Sequence, residues 1–290
     1  MKICRFNHDR VGVVEGLKVY DITDLLELSL TWPVPLGDAV IPQIQKLVAA
    51  GIPDLHSRPS LALASVRLES PVANPGKIIG APVNYKAHID EANADKEINT
   101  GKTYTTLEAY GLFLKANSSL IGPHEDIQFA FPERRTDHEV ELAVVIGREA
   151  KNVSVEEALS FVAGYSVGLD MSLRGAEVPS YRKSADTYSV LGPWLVTADE
   201  VPDPDNLKLE LLVNGEVRQQ SNTSLLILNV RQVIAYASSI YTLHPGDIIM
   251  TGTPAGVGPV QPGDLIDASV EAVGSLSIKV ISGPADKKGL

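Results

Sequence analysis

The sequence predicts an α+β fold that is mostly β, a roll or sandwich with peripheral helices behind a small N-terminal α+β domain. Three observations carry this. Leu207, Leu209, Leu211 and Val213 alternate with Lys208, Glu210 and Leu212 ahead of Asn214-Gly215, a pair suited to a type I′ hairpin turn. The run DHEVELAVVIG, residues 137–147, is β-branched and largely apolar on both faces, as in a strand buried on both sides. Two Pro-Gly-Asp turns, Pro245-Gly246-Asp247 and Pro262-Gly263-Asp264, punctuate the C-terminal strands.

In chain order, strands are expected around Lys2–Phe6 and Val11–Tyr20, followed by a helix from Asp38 to Ala50. Ile41, Ile44, Leu47 and Val48 share one face of that helix, with Asp38 placed to cap it and Gly51 to end it. The turn-rich SPVANPG, residues 70–76, divides a small domain, 1–70, from a larger one, 75–290. Residues 90–110 are polar and aperiodic, which suits either a lid or an ordinary solvated excursion. Ser154 and Glu157 form a capping box expected to open a helix through Val162, and Val230, Val233, Ile234 and Ala237 mark a second amphipathic helix.

Composition narrows the function. The chain has 290 residues, 44% hydrophobic and 21% charged, ordinary for a folded globular protein. A net charge of -11 would repel nucleic acid and anionic membranes, so a small-molecule partner is expected. One cysteine, Cys4, allows no internal disulfide and no cysteine-based zinc site, which suits a reducing cytoplasm. Neither a signal-peptide pattern nor an apolar run of ~18 residues is present, so a cytoplasmic location is expected.

Several side chains can carry chemistry. Period-2 alternation puts Glu139 and Glu141 on one strand face with Ala143 and Val145. Two anions so placed are surface charge if solvated, and call for a cation if buried. Asp170 ends the apolar run FVAGYSVGL, where it either pairs with Arg174, caps a helix or joins the two glutamates. Ligation by Glu139, Glu141 and Asp170 would be all-oxygen, which selects Mg²⁺, Mn²⁺ or Ca²⁺ over zinc. His88 and Glu91 are three apart, so one helical turn would set a carboxylate beside an imidazole, the arrangement of an oriented general base. Lys115, Lys183 and Asp186 carry no signal singly. The glycines of TGTPAGVG, residues 251–258, would let backbone N–H groups approach an anion, or make a tight structural turn.

Taken in order, these pieces resemble the fumarylacetoacetate hydrolase family: NY-x-x-H-x-x-E at 84–91, F-x-K-x-x-S-S-x-x-G-P at 113–123, HEVELAVVIG at 138–147, GYSVGLDMSLR at 164–174, RKSADTY-x-x-LGP at 182–193 and PGDIIMTGTPAGVG at 245–258. The resemblance implies a mixed β-roll catalytic domain, usually dimeric, with a lid at about 88–112. It implies metal ligands Glu139, Glu141 and Asp170, catalytic residues His88, Glu91 and Lys183, and substrate-binding residues Tyr85, Lys115, Arg174, Glu177 and Thr253. The activity implied is Mg²⁺- or Mn²⁺-dependent hydrolysis of a C–C bond in an acylpyruvate or other β-diketo acid, through a metal-bound enolate. Decarboxylation of oxaloacetate and isomerisation of hydroxymuconate-type acids use the same site, and a non-catalytic calcium-stabilised binding domain is the alternative of another class. The chain departs from many relatives at Arg174-Gly175-Ala176-Glu177, where Arg-Asp-x-Gln is common, and at Ala81-Pro82-Val83 before Asn84.

Overall fold

The computed structural model describes residues 1–27, 34 and 36–283. Among them, a twelve-stranded sheet forms the backbone of the molecule. At its centre Val140–Ile146 pairs antiparallel with Val162–Asp170 on one side and with Ile248–Met250 on the other. Ile248–Met250 then runs parallel to Ile78–Gly80, which pairs with Phe113–Lys115, so the sheet is mixed. Val162–Asp170 pairs with Ser189–Thr197, and the first strand, Lys2–Phe6, joins the latter's edge. A five-stranded sheet contains the hairpin Lys208–Val213 and Glu216–Asn222, and a small three-stranded sheet joins Ser172–Leu173, Thr136–His138 and Gly258–Pro259.

The central strand separates two cores. Val140, Leu142, Val144 and Ile146 pack with the five-stranded sheet and with the helix Val230–Ile240. Ala143 and Val145 face the other way, toward Ile3, Val13, Ile41 and Ile44 of the N-terminal segment. A strand buried on both faces needs apolar residues at every position, which is why the run reads as continuous rather than alternating. No helix among the described residues is long and apolar enough to cross a membrane.

Three local expectations change. The first helix begins at Ile41, because Asp38 spends its carboxylate on the amides of Val40, Ala73 and Asn74 and so ties the helix entry to the 70–76 segment. Ser154 and Glu157 do bond each other, but only a 3-10 turn, Ala158–Phe161, follows, since Val162 is taken up in pairing with Ile146. Residues 90–110 are built: the short helices Lys86–Ala94, Lys96–Asn99 and Leu107–Tyr110 bury Ile98 and Leu107, and the Asn93 side chain bonds both the amide and the carbonyl of Tyr104. The hidden order is carried by asparagine side chains, which leave no hydrophobic period to read.

Candidate active site

The register of the central strands creates the site floor. Val140 lies opposite Leu169, which sets Glu139, in the one-residue gap between Thr136–His138 and Val140–Ile146, beside Asp170, whose amide donates to the Glu139 carbonyl at 2.9 Å. Glu141 follows on the same strand. One carboxylate oxygen from each of Glu139, Glu141 and Asp170 lies within 4.8 Å of the others, and all three residues are buried.

Buried cations surround this floor. Lys183 Nζ donates to Glu139 Oε2 and to Asp170 Oδ2, each at 2.7 Å, and also to the Ser172 hydroxyl. Arg174 donates to Asp137 Oδ2 at 2.7 Å and to Glu139 Oε1 at 2.9 Å. Lys115 stands behind Asp170, donating to its Oδ1 and to the Tyr188 carbonyl. Burial alone would raise the Glu139 carboxyl, yet Lys183 and Arg174 hold it well below the usual carboxylate range. Glu141 is the contrast. It accepts the Gly252 amide at 2.6 Å, and burial together with the charges of Asp170 and Glu139 pushes its carboxyl well above its ordinary value. Burial would lower the Lys183 ammonium, but Asp170 and Glu139 raise it, so this lysine is a fixed positive charge.

Two glycines explain the 251–258 loop. Gly252 and Gly256 have φ of 107° and 97°, and a Cβ at Gly256 would meet the Arg218 carbonyl at 2.0 Å. Only glycine allows this backbone, which turns the Gly252 N–H toward Glu141 and the Gly256 N–H toward Glu91 Oε1 at 2.9 Å. The anions that this loop approaches are the chain's own. The other oxygen of Glu91 lies 3.0 Å from His88 Nδ1. An ionised carboxylate only accepts, so Nδ1 carries the proton and Nε2 is left as the acceptor.

A cavity of about 50 Å³ lies above the floor. His88, Arg174, Lys183 and Thr253 line it with the three carboxylates, and Ala92, Ile98 and Tyr104 of the 86–110 segment close it. Tyr85 is buried with its hydroxyl unpartnered among the described residues, its ionisation opposed by burial and by Glu141. Tyr85, Lys115 and Glu177 are not among the lining residues. Glu177 instead makes a paired contact with Arg134 at 3.0 and 2.9 Å, so this acid is drawn away from the cavity.

Four residues of the site carried no signal of their own in the sequence. Asp137 orients Arg174, and Arg135 links Asp137 to Asp95 and Glu97 above it. Gln219 reaches in from the five-stranded sheet, accepting from Val140 N and donating to Thr253 Oγ1 at 2.8 Å. Arg182, adjacent to Lys183, lines the cavity.

The donor set fits a hard divalent cation. Three buried carboxylates converge, and Glu141 has the raised carboxyl of an anion short of positive charge, which a dication beside it would reverse.

The profile of the fumarylacetoacetate (FAA) hydrolase C-terminal family matches residues 77–281. The chain is 52% identical over 286 residues to maleylpyruvate hydrolase of Aquipseudomonas alcaligenes, covering 97% of this chain and 100% of that one. It is 36% identical to 2,4-didehydro-3-deoxy-L-rhamnonate hydrolase of a Sphingomonas strain, over 95% of this chain and 94% of that one. Among solved structures, maleylpyruvate hydrolase from Sphingobium sp. SYK-6 in complex with manganese(II) and pyruvate is similar with a TM-score of 0.83 and 39% identity, over 98% of this chain and 100% of that one.

Proposed function

Because the chain belongs to the fumarylacetoacetate hydrolase family, we propose that it is a metal-dependent hydrolase that cleaves the C–C bond of an acylpyruvate, maleylpyruvate being the first substrate to test. The observation that carries this reading is the buried triad Glu139, Glu141 and Asp170 under a roof that presents His88. A divalent ion, Mg²⁺ or Mn²⁺, held by these three would supply Lewis-acid polarisation of a chelating oxo-carboxylate. His88 Nε2 takes a proton from the water that attacks the acyl carbonyl, while Glu91 fixes the ring and offsets the charge it gains. The bond to the methylene carbon then breaks, the acyl half leaves as a carboxylic acid, and the other half takes up a proton to become pyruvate. Lys183 has its three N–H groups engaged by Glu139, Asp170 and Ser172, so it steadies the developing oxyanion through its charge rather than by a free hydrogen bond. Thr253 and Arg174 shape the substrate end of the cavity.

The proposal extends to residues 1–70 as a small appended domain and to a homodimer in the cytoplasm. Leu225 and Ile227 are 63% and 40% exposed on the turn that follows the hairpin of the five-stranded sheet, apolar side chains that a second copy would cover. Cys4 is buried, its thiol pushed up to about 12, mainly by burial, and inert to oxidative pairing. Incubating the metal-loaded enzyme with acylpyruvates and with oxaloacetate, and identifying products, tests the reaction. Two acids are expected from the first; CO₂ from the second with no cleavage of the first would replace hydrolysis by decarboxylation.

A further inference from the structure

Arg182 stands apart from the other buried cations of the site. Lys115, Lys183 and Arg174 each hold at least one carboxylate. Arg182 is 6% exposed and lines the same cavity, yet its Nε donates to the Glu177 carbonyl at 2.8 Å and its Nη1 to the Leu173 carbonyl at 3.1 Å, both neutral acceptors. Among the described residues no carboxylate lies within ion-pair distance of it. The nearby acid, Glu177, is turned away to Arg134. A guanidinium has five N–H donors in a planar fork, so among the described residues Arg182 keeps donors in hand, with Nη2 uncommitted.

A buried cation without a counter-ion is costly unless something completes it. Burial, then the nearby Arg174, holds the Arg182 guanidinium below its ordinary range, the sign of a group short of negative charge. The charges point the same way. Four buried carboxylates, Asp137, Glu139, Glu141 and Asp170, are matched by four buried cations, Lys115, Arg174, Arg182 and Lys183. A divalent cation leaves the loaded site with two positive charges, complementary to a ligand with two carboxylates rather than one.

We propose that Arg182 is the specificity-determining residue for a second carboxylate at the far end of the substrate's acyl arm, making this an enzyme for dicarboxylic acylpyruvates. This rests on the acylpyruvate reading of the site. The oxo-carboxylate end engages the metal floor, and the distal carboxylate takes the free edge of the Arg182 fork as a charge-assisted pair.

The test uses Mn²⁺-loaded parent enzyme with R182Q and R182K, and two probes titrated by calorimetry: oxalate for the metal end, and maleate for the product half that carries the distal carboxylate. Loss of a charge-assisted pair is expected to weaken maleate by about tenfold to a hundredfold more than oxalate in R182Q. R182K, which keeps the charge without the fork, falls between. In turnover, the preference for maleylpyruvate over acetylpyruvate, which lacks the second carboxylate, should shrink by the same factor. Should R182Q not fold, as melting with oxalate will show, R182K carries the comparison. Equal losses for the two probes in a folded variant, or no binding of maleate by the parent enzyme, overturns the role of Arg182. If the parent enzyme cleaves neither acylpyruvate, the proposed reaction falls, and the maleate titration still decides Arg182.

Discussion

Glu141 has a backbone N–H and no direct ion-pair partner among the described residues, although Lys183 lies near enough to offset part of the repulsion from its neighbours. Metal binding should therefore be visible as stability. With Mg²⁺ or Mn²⁺ at 100 times its dissociation constant, linkage gives about 2.7 kcal/mol of stabilisation. We expect scanning calorimetry to show that gain in the parent enzyme and to lose most of it in Glu141→Gln. The metal-free melting of that variant should be equal or higher, because a neutral amide removes the repulsion from Asp170 and Glu139. A Tm that ignores metal in the parent enzyme would argue against the triad as ligands. Chelator should abolish turnover, and either cation should restore it. For His88→Ala, kcat on the best acylpyruvate should fall about 10²–10⁴-fold. Decarboxylation of oxaloacetate needs no activated water and should be nearly untouched. An unchanged rate on both substrates would remove the imidazole from the reaction.

At the scale of elements, one side chain ties the 95–97 turn of the roof to the floor, beside the Glu91 bond to the Gly256 amide. Arg135 donates to Asp95 at 2.9 Å and Glu97 at 2.7 Å while also holding Asp137 at 2.7 and 3.0 Å. Such partly exposed pairs are worth up to about 1 kcal/mol. Arg135→Gln should therefore raise the tryptic cutting rate at the exposed Lys96 and Lys102 roughly fivefold, read by timed digestion. Oxalate with Mg²⁺ should slow cutting in the parent enzyme; rates indifferent to both changes would mean that these helices do not open as a lid. Legibility in the sequence followed the same division. The alternation of 207–213, the Asn-Gly turn and the helix near 230 are local patterns, and they stand in the structure. The helix expected through Val162 shrank because strand pairing competes with a capping box and wins. Glu139 and Glu141 could be read from spacing because both belong to one run of chain. Arg182 could not, since what distinguishes it is the carboxylate it lacks, and that is decided by where Glu177 turns in three dimensions.

For the whole molecule, the N-terminal segment is bonded into the body that carries the site. Lys2–Phe6 pairs with Ser189–Thr197, and Ile3, Val13, Ile41 and Ile44 share a core with Val145, Leu195 and Ile248. A chain beginning at residue 75 would bare that apolar face and an unpaired strand edge. We expect it to aggregate or to lose cooperative melting, measured by light scattering and calorimetry, unless residues 1–70 are supplied in trans. A truncated chain that melts like the parent would show the larger domain to be self-sufficient.

His88 and Glu91 lie on the same roof helix, Lys86–Ala94, while Glu91 is also bonded to the Gly256 amide of the floor loop. On the proposed mechanism the proton acceptor is thus mounted on the door rather than in the room. Raising that helix would withdraw the imidazole and break the Glu91 bond in one movement, so an unlatched enzyme would be a disarmed one. On that reading, water that wandered into an open site would find no base there, and an acid that kept the door seated would hold the imidazole in place for its own reaction.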